Sequence, residues 1–207
     1  MQFAKALKKV GCSLIYMNKD FLAINKAVNF PTLPDRWRRH EIANLIDTLK
    51  AVDENIYVVH RLDATTSGII LFARNSETHR YFNRLFQQRE IRKTYWALTE
   101  KLPIEPEGTI NRPLLFSEKE QKSIISSARK ASVSHYKVLR VFRDLALLEL
   151  GLETGRMHQL RVHLASIGAP IANDRLYGAT RSILLSNYKR NFKGKSNERP
   201  LMTEIAL

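Results

Sequence analysis

The feature that most constrains this chain is the segment from His60 to Gly68, which reads His-Arg-Leu-Asp-Ala-Thr-Thr-Ser-Gly. The apolar run Ile69-Ile70-Leu71-Phe72-Ala73 follows it directly, and a short apolar run beside turn residues is typical of a buried strand. The segment therefore predicts a polar turn that sets one acid, Asp63, beside a core strand. A carboxylate held there can act as a nucleophile or as a base. Taken alone, the motif fits a turn or capping aspartate equally well.

The charge of the chain indicates a polyanionic partner. Among 207 residues, 34 are lysine or arginine and 20 are aspartate or glutamate, so the net charge is +14. A pI near 10.1 on a chain with 44% hydrophobic residues favours a globular protein that binds nucleic acid, although a basic surface kept only for solubility has the same composition. Part of the charge is clustered between Arg181 and Arg199, where six basic residues accompany one acid, Glu198.

Cysteine and histidine usage exclude several kinds of site. The single cysteine, Cys12, cannot form an intrachain disulfide or belong to a zinc site of several cysteines. His158 and His163 are five residues apart and point to different faces of a helix, so no metal site is predicted. No stretch has the length of a signal-peptide core or of a membrane span. We therefore expect a cytoplasmic monomer without membrane contact.

Short strand patterns recur along the chain. Two apolar runs around Asn18-Lys19-Asp20 predict a hairpin. Three further strands are predicted at 94–98, 135–141 and 145–150, and a turn joins the last two. The polar, proline-containing stretch within 102–132 is interpreted as a loop or a ragged hairpin.

Three helices are predicted from apolar residues at three- and four-residue spacing. The first carries Ile42 to Val52 with Asp35 as its cap, the second is capped by Ser76, and the third begins at Gly155-Arg156 and ends at Gly168. Helices packed on antiparallel hairpins make an α+β fold. No glycine-rich nucleotide-binding pattern occurs, so no nucleotide cofactor is predicted.

Two further segments carry side chains suited to a site. Alternation along the predicted strand 94–98 separates Tyr95 from Trp96 and Leu98, and we expect Trp96 and Leu98 to face the core. Tyr95 is then either a base-stacking residue or an ordinary half-buried tyrosine. In the polar segment 154–163, Arg161 is interpreted as a solvated helix residue or as the partner of a buried carboxylate, whose pKa it would lower.

Four motifs occur in order along the chain. They are His60-Arg61-Leu62-Asp63-x-x-Thr66-Ser67-Gly68, Lys93-Thr94-Tyr95, Gly155-Arg156-x-His158-Gln159-Leu160-Arg161-Val162-His163-Leu164-Ala165 and Gly168-x-Pro170-Ile171-x-x-Asp174-x-Leu176-Tyr177-Gly178. Together they resemble the RluA family of RNA pseudouridine synthases, of the ribosomal large-subunit type, over about Leu14 to Gly178. The resemblance implies the pseudouridine synthase fold, in which a few helices flank a mixed, mainly antiparallel sheet with a catalytic cleft across it.

The resemblance also implies a reaction and its residues. The reaction is isomerisation of a specific uridine to pseudouridine in structured RNA, rRNA or tRNA, with an aspartate and without cofactor or metal. Asp63 matches the catalytic aspartate, which would attack the ribose C1′ or the base C6, or help to remove a ribose proton. Arg161 matches the basic residue that pairs with that aspartate. Tyr95 matches the tyrosine that stacks on the target base, and Arg61 matches an arginine that replaces the flipped nucleotide in the RNA stack.

The resemblance further implies a domain organisation. Residues 1–178 are expected to form the catalytic domain, without a preceding S4 RNA-binding domain. Residues 179–207 are expected to form a basic C-terminal segment that is short relative to the family. The family's Asn-Lys-Pro-Ala-Gly sequence appears here as Asn25-Lys26-Ala27-Val28-Asn29, and we expect this loop to carry no catalytic group.

A non-catalytic RNA-binding or chaperone module with the same fold and charge is the alternative function. The presence of Asp63, Tyr95 and Arg161 favours the enzyme, because a protein that only binds RNA needs no carboxylate facing a phosphate chain. A metal-dependent nuclease would need clustered acids, which the sequence lacks. RNA is the one partner expected, with no obligatory protein partner.

Overall fold

The computed structural model describes residues 2–34, 42–127, 131–193 and 197–207. The chain divides into two compact units, Met1–Ile91 and Arg92–Leu207. Each unit combines antiparallel strands with one or a few helices. The predicted α+β class is therefore confirmed.

The first unit contains a four-stranded antiparallel sheet in the order β1-β2-β4-β3. Its strands are β1 (Ser13–Met17), β2 (Phe21–Lys26), β3 (Tyr57–Val58) and β4 (Gly68–Ala73). β1 and β2 form the predicted hairpin. The side-chain carbonyl of Asn18 closes its turn by accepting hydrogen bonds from the N–H groups of Asp20 and Phe21 at 2.9 and 2.8 Å.

The core of this unit lies between its two central strands and its helices. Leu22 and Ile24 of β2 stand opposite Phe72 and Ile70 of β4, and all four side chains are fully buried. The helices are α1 (Gln2–Lys9), α2 (Leu45–Lys50) and α3 (Ser76–Gln87). The apolar run that follows His60–Gly68 is thus a central core strand, as its composition predicts.

Two of the predicted helix boundaries are wrong, and capping explains the difference. α2 begins only at Leu45, because the Asn44 side chain accepts the N–H of Asp47 and sets the helix start there. The predicted cap Asp35 lies outside the described residues. In α3 the cap is Asn75, whose side chain accepts the N–H of Thr78, and the predicted cap Ser76 is the first helical residue.

The second unit contains a four-stranded antiparallel sheet in the order β5-β10-β9-β6 and a separate hairpin, β7-β8. Its strands are β5 (Thr94–Thr99), β6 (Glu107–Asn111), β7 (Leu114–Ser117), β8 (Lys122–Ile125), β9 (Val133–Phe142) and β10 (Leu145–Leu152). The three strands predicted in this region are confirmed as β5, β9 and β10. The stretch interpreted as a loop or ragged hairpin supplies β6, β7 and β8.

The predicted core face of β5 is wrong. Trp96 is 63% exposed, whereas Ala97 and Thr99 are buried. Residues directly opposite in a sheet share a face, and Ala97 stands opposite the buried Leu148 of β10. The buried face of β10 therefore fixes the buried face of β5, and Tyr95 packs on this same side against the core.

One helix, α4 (Gln159–Ser166), covers the core side of this sheet with Leu160 and Leu164. It begins four residues later than predicted, because Met157 and His158 form a turn and His158 adopts a left-handed conformation with φ 55° at the N-cap. Gly168, with φ 79°, follows the helix in the left-handed conformation that glycine adopts most easily, as the sequence predicts.

Candidate active site

Asp63 lies in a tight turn between β3 and β4 of the first unit. The carbonyl of Asp63 accepts the N–H of Thr66 at 3.0 Å, which closes the turn. Leu62 is buried and anchors the segment, as the sequence predicts, while Asp63 itself is half-buried. Arg61 is exposed on the other side of Leu62. The turn therefore presents an acid and an arginine around one buried leucine.

Two side chains, one from the last residue of β2 and one from the segment after it, hold the backbone on both sides of Asp63. The Thr32 hydroxyl donates to the carbonyl of Leu62 at 2.8 Å and accepts its N–H at 3.3 Å. The Lys26 ammonium donates to the carbonyl of Ala64 at 3.0 Å. We call Thr32 and Lys26 the backbone clamp. It fixes the residues that flank Asp63 without a hydrogen bond to the Asp63 side chain.

Lys26 is an unusual member of this clamp, because it is only 1% exposed. Its ammonium also donates to the carbonyls of Ala27 and Phe30, both at 2.8 Å. Burial lowers the pKa of Lys26 to about 8, and this effect is opposed by Cys12 and by Asp63, which raise the pKa. Below pH 8 Lys26 is thus a buried cation that interacts favourably with the Asp63 carboxylate.

His60, the first residue of the motif, extends the pairing of the short strand β3. Its Nε2 accepts the N–H of Leu71 in β4 at 2.9 Å, two residues beyond the last backbone pair of the two strands, Val58 and Phe72. Its ring contacts Phe86 of α3 with centroids 5.0 Å apart. The imidazole therefore ties the start of the turn that holds Asp63 to both β4 and α3.

In the second unit, Arg161 is buried rather than solvated. Its Nε and Nη2 donate to the two carboxylate oxygens of Asp174 at 2.7 and 2.8 Å, and the exposed fractions of the two side chains are 5% and 0%. The interpretation of Arg161 as the partner of a buried carboxylate is confirmed within the second unit, with Asp174 as that carboxylate. The predicted pairing of Arg161 with Asp63 joins residues of different units and stays a prediction.

Tyr177 connects Arg161 to the β7-β8 hairpin. The Arg161 guanidinium lies over the Tyr177 ring, 4.9 Å from its centroid. The Tyr177 hydroxyl accepts the N–H of Ser123 in β8 at 2.8 Å and is 2.9 Å from Nδ1 of His158, and the Ser123 hydroxyl donates to the carbonyl of Met157. Burial raises the pKa of Tyr177, so this phenol stays protonated and neutral.

A second buried network fixes the turn before α4. The side-chain carbonyl of Gln159 accepts the Thr154 hydroxyl at 2.8 Å and the N–H of Arg156 at 3.0 Å, and its amide donates to the carbonyl of Val133 at 3.0 Å. His163 is fully buried, and its Nδ1 forms a hydrogen bond with the Ser134 hydroxyl. These polar residues hold the backbone of the third motif in place.

Sequence patterns did not predict a role for several residues of these networks, among them Lys26, Thr32, Asp174 and Tyr177. The signal for Lys26 was present, because alternation from Leu22 and Ile24 puts it on the buried face of β2. Asp174 and Tyr177 stand in the fourth motif. Their hydrogen-bond partners, Arg161 and Ser123 respectively, lie outside that motif, so the motif alone does not reveal the contacts. Thr32 has no comparable local signal.

Within the described residues, no group of three or more histidine, cysteine, aspartate or glutamate side chains is arranged to hold a metal ion. Nor does any described helix combine the length and hydropathy needed to cross a membrane.

Known RNA pseudouridine synthases are similar to this chain in sequence. The family described as RNA pseudouridylate synthase matches residues 20–166. The chain is 34% identical to the uncharacterized RNA pseudouridine synthase YhcT of Bacillus subtilis, over 83% of this chain and 59% of that protein. It is 31% identical to an uncharacterized RNA pseudouridine synthase of Haemophilus influenzae, over 80% of this chain and 73% of that protein.

A solved structure gives the same result. Human RNA pseudouridylate synthase domain containing 4 superposes with a TM-score of 0.68 at 28% identity, over 84% of this chain and 70% of that one. The chain spans about three fifths of the length of several curated relatives. Because the family match extends over well over half of its residues, this chain belongs to the RNA pseudouridylate synthase family.

Proposed function

We propose that this protein isomerises a specific uridine in structured RNA, rRNA or tRNA, to pseudouridine, and that Asp63 is the catalytic residue. The observation that carries the proposal is the backbone clamp. Thr32 and Lys26 fix Leu62 and Ala64, and the half-buried Asp63 carboxylate between them is left to react. A turn built only for structure would not need a buried lysine beside its acid.

The proposed reaction breaks the bond between C1′ of the ribose and N1 of uracil and forms one between C1′ and C5. The proton on C5 leaves, and N1 takes up a proton, so the product is an isomer and no cofactor is required. Asp63 either attacks C1′ or C6 or helps to remove a ribose proton. Each route needs an ionised carboxylate, and the negative charge of Asp63 in turn raises the pKa of Lys26, against the lowering by burial.

Three further residues are proposed to bind the substrate. Tyr95 would stack on the target base, Arg161 would pair with the Asp63 carboxylate, and Arg61 would take the place of the flipped nucleotide. Flipping a base costs a few kcal/mol, least in a loop or a single strand. Phosphate contacts to a chain of net charge +14 would offset that cost.

We also propose the organisation expected from the sequence, with a catalytic domain over 1–178 and a basic segment over 179–207. In this segment Lys189 and Arg190 are exposed, which supports a role in RNA contact. A cytoplasmic monomer that acts on RNA without a protein partner remains our working proposal.

The test compares wild type with Asp63→Asn, which keeps the size of the side chain and removes the charge. Each protein is returned to a strain lacking the gene, and pseudouridines are mapped in rRNA and tRNA. We expect at least one uridine to be modified by wild type and by no Asp63→Asn protein. Identical maps, together with failure of purified wild type on bulk unmodified RNA, would leave the non-catalytic RNA-binding or chaperone function as the better explanation.

A further inference from the structure

One face of α3 carries an exposed basic row that the reaction does not use. Its members, all exposed, are Arg80, Arg84 and Gln88 at four-residue spacing and Tyr81, three residues before Arg84. They therefore share one side of the helix. We call these four residues the α3 stripe. Arg80 and Arg84 are about one turn, or about 6 Å, apart along the axis.

The opposite face of α3 holds the strand and the motif that precede Asp63. His79 lies 3.1 Å from the carbonyl of Val58 and stacks on Tyr57 with ring centroids 5.2 Å apart. Phe86 contacts His60, three residues before Asp63. An α-helix with its side chains is about 10–12 Å across. The α3 stripe is therefore one helix diameter from the residues that support the catalytic turn.

Among the described residues, the charges of the stripe are not neutralised by an ion pair. No carboxylate of the described residues forms a salt bridge with Arg80 or Arg84, although Glu77 precedes Arg80 by three positions. Arg84 lies over the Tyr81 ring, 5.4 Å from its centroid, and this contact restricts the guanidinium. A planar guanidinium held at the surface suits a phosphate, which it can bind through two parallel hydrogen bonds.

We propose that the α3 stripe binds backbone phosphates of the RNA that flank the target uridine. The proposal rests on the function proposed above and names a surface for it. The partner is RNA, because the chain carries a net charge of +14 and because the stripe presents two exposed guanidinium groups. The same helix that supports the catalytic turn thereby aligns the substrate with it.

The experiment measures RNA affinity without turnover. Arg80→Gln with Arg84→Gln is built in the Asp63→Asn background, and binding of a fluorescein-labelled, unmodified tRNA transcript is measured over a range of salt concentrations. The control is Lys5→Gln with Lys8→Gln on α1, which removes the same charge from exposed positions of the same unit. We expect binding about 5- to 10-fold weaker at low salt for the arginine pair, and a salt slope reduced by about 1 to 2.

Two outcomes would overturn the proposal. One is an unchanged affinity and salt slope for the arginine pair. The other is an equal loss in the lysine control, which would mean that only net charge matters. Because binding is read in Asp63→Asn protein, a failure of the catalytic proposal leaves this measurement intact.

Discussion

Arg161 and Asp174 form a bidentate ion pair inside the second unit, and this pair changes how the charge of Arg161 can be used. Two of its donors already serve a carboxylate, which offsets the positive charge. Its effect on the pKa of any second carboxylate is therefore weaker than that of an uncompensated arginine. Lys26, in the same unit as Asp63, supplies a cation that does not depend on Asp174.

The pair predicts a specific pattern of stability changes. Asp174→Asn leaves a buried guanidinium without its counter-charge, and we expect a loss of about 3–5 kcal/mol in the free energy of unfolding. The double variant Arg161→Met with Asp174→Leu should recover most of this stability, because two apolar side chains need no charge compensation. Urea unfolding measures both. If the double variant is less stable than Asp174→Asn, the ion pair is not the source of the effect.

Lys26→Met tests the backbone clamp. The substitution keeps the length of the side chain but leaves the carbonyls of Ala27, Phe30 and Ala64 without their donor, and each unsatisfied group costs about 1–3 kcal/mol. We expect faster hydrogen exchange in the turn around Asp63 and a large drop in activity. Lys50→Met is the control, because Lys50 is exposed on α2. Equal exchange rates in the two variants would contradict the clamp.

Tyr177→Phe removes the hydroxyl that joins the β7-β8 hairpin to the turn before α4. The N–H of Ser123 and Nδ1 of His158 then lose a partner, so we expect about 1–3 kcal/mol of destabilisation and faster proteolysis within the hairpin. Tyr16→Phe, at an exposed position of β1, serves as the control. A hairpin that resists protease as well as in wild type would show that this hydroxyl does not hold it.

His163 predicts a loss of stability in acid. Burial lowers the pKa of His163 below the ordinary 6.5, assisted by the nearby charge of Arg112 and opposed by a hydrogen bond to the Arg112 carbonyl. The unfolded chain therefore binds a proton at this residue more readily than the folded one. The stability that neutral His163 contributes is complete above pH 6.5 and falls as the pH drops below that value.

His163→Gln should reduce this pH dependence, because glutamine does not titrate in that range. The comparison uses thermal unfolding of both proteins between neutral and mildly acidic pH. The Tm of each protein is expressed relative to its own Tm at neutral pH. A variant whose stability falls as steeply as that of wild type would assign the effect to another group.

Local patterns in the sequence predict the hairpins and the core strands well. The turn at Asn18 and the strand after Gly68 depend on neighbours in sequence, and both appear as expected. Asp63 and Leu62 also take the positions that their motif predicts. These features need only alternation and turn chemistry, which a single chain displays directly.

Features that depend on distant partners could not be predicted. The buried face of β5 is decided by Leu148 of β10, and alternation alone cannot tell the two faces of a strand apart. Arg161 of α4 binds Asp174, which lies in the segment after that helix. Helix starts were shifted because Asn44 and Asn75 compete with nearby residues as caps, and the local sequence does not rank them.

The backbone clamp acts on Leu62 and Ala64 and leaves the side chain between them outside its hydrogen bonds. In the proposed function, folding and chemistry are thus specified by different atoms of the same turn. We expect a chain that loses the acid at position 63 to keep the turn, because the hydrogen bonds of the clamp do not involve the Asp63 carboxylate. On this proposal, one substitution would convert a modifying enzyme into a relative that only binds RNA.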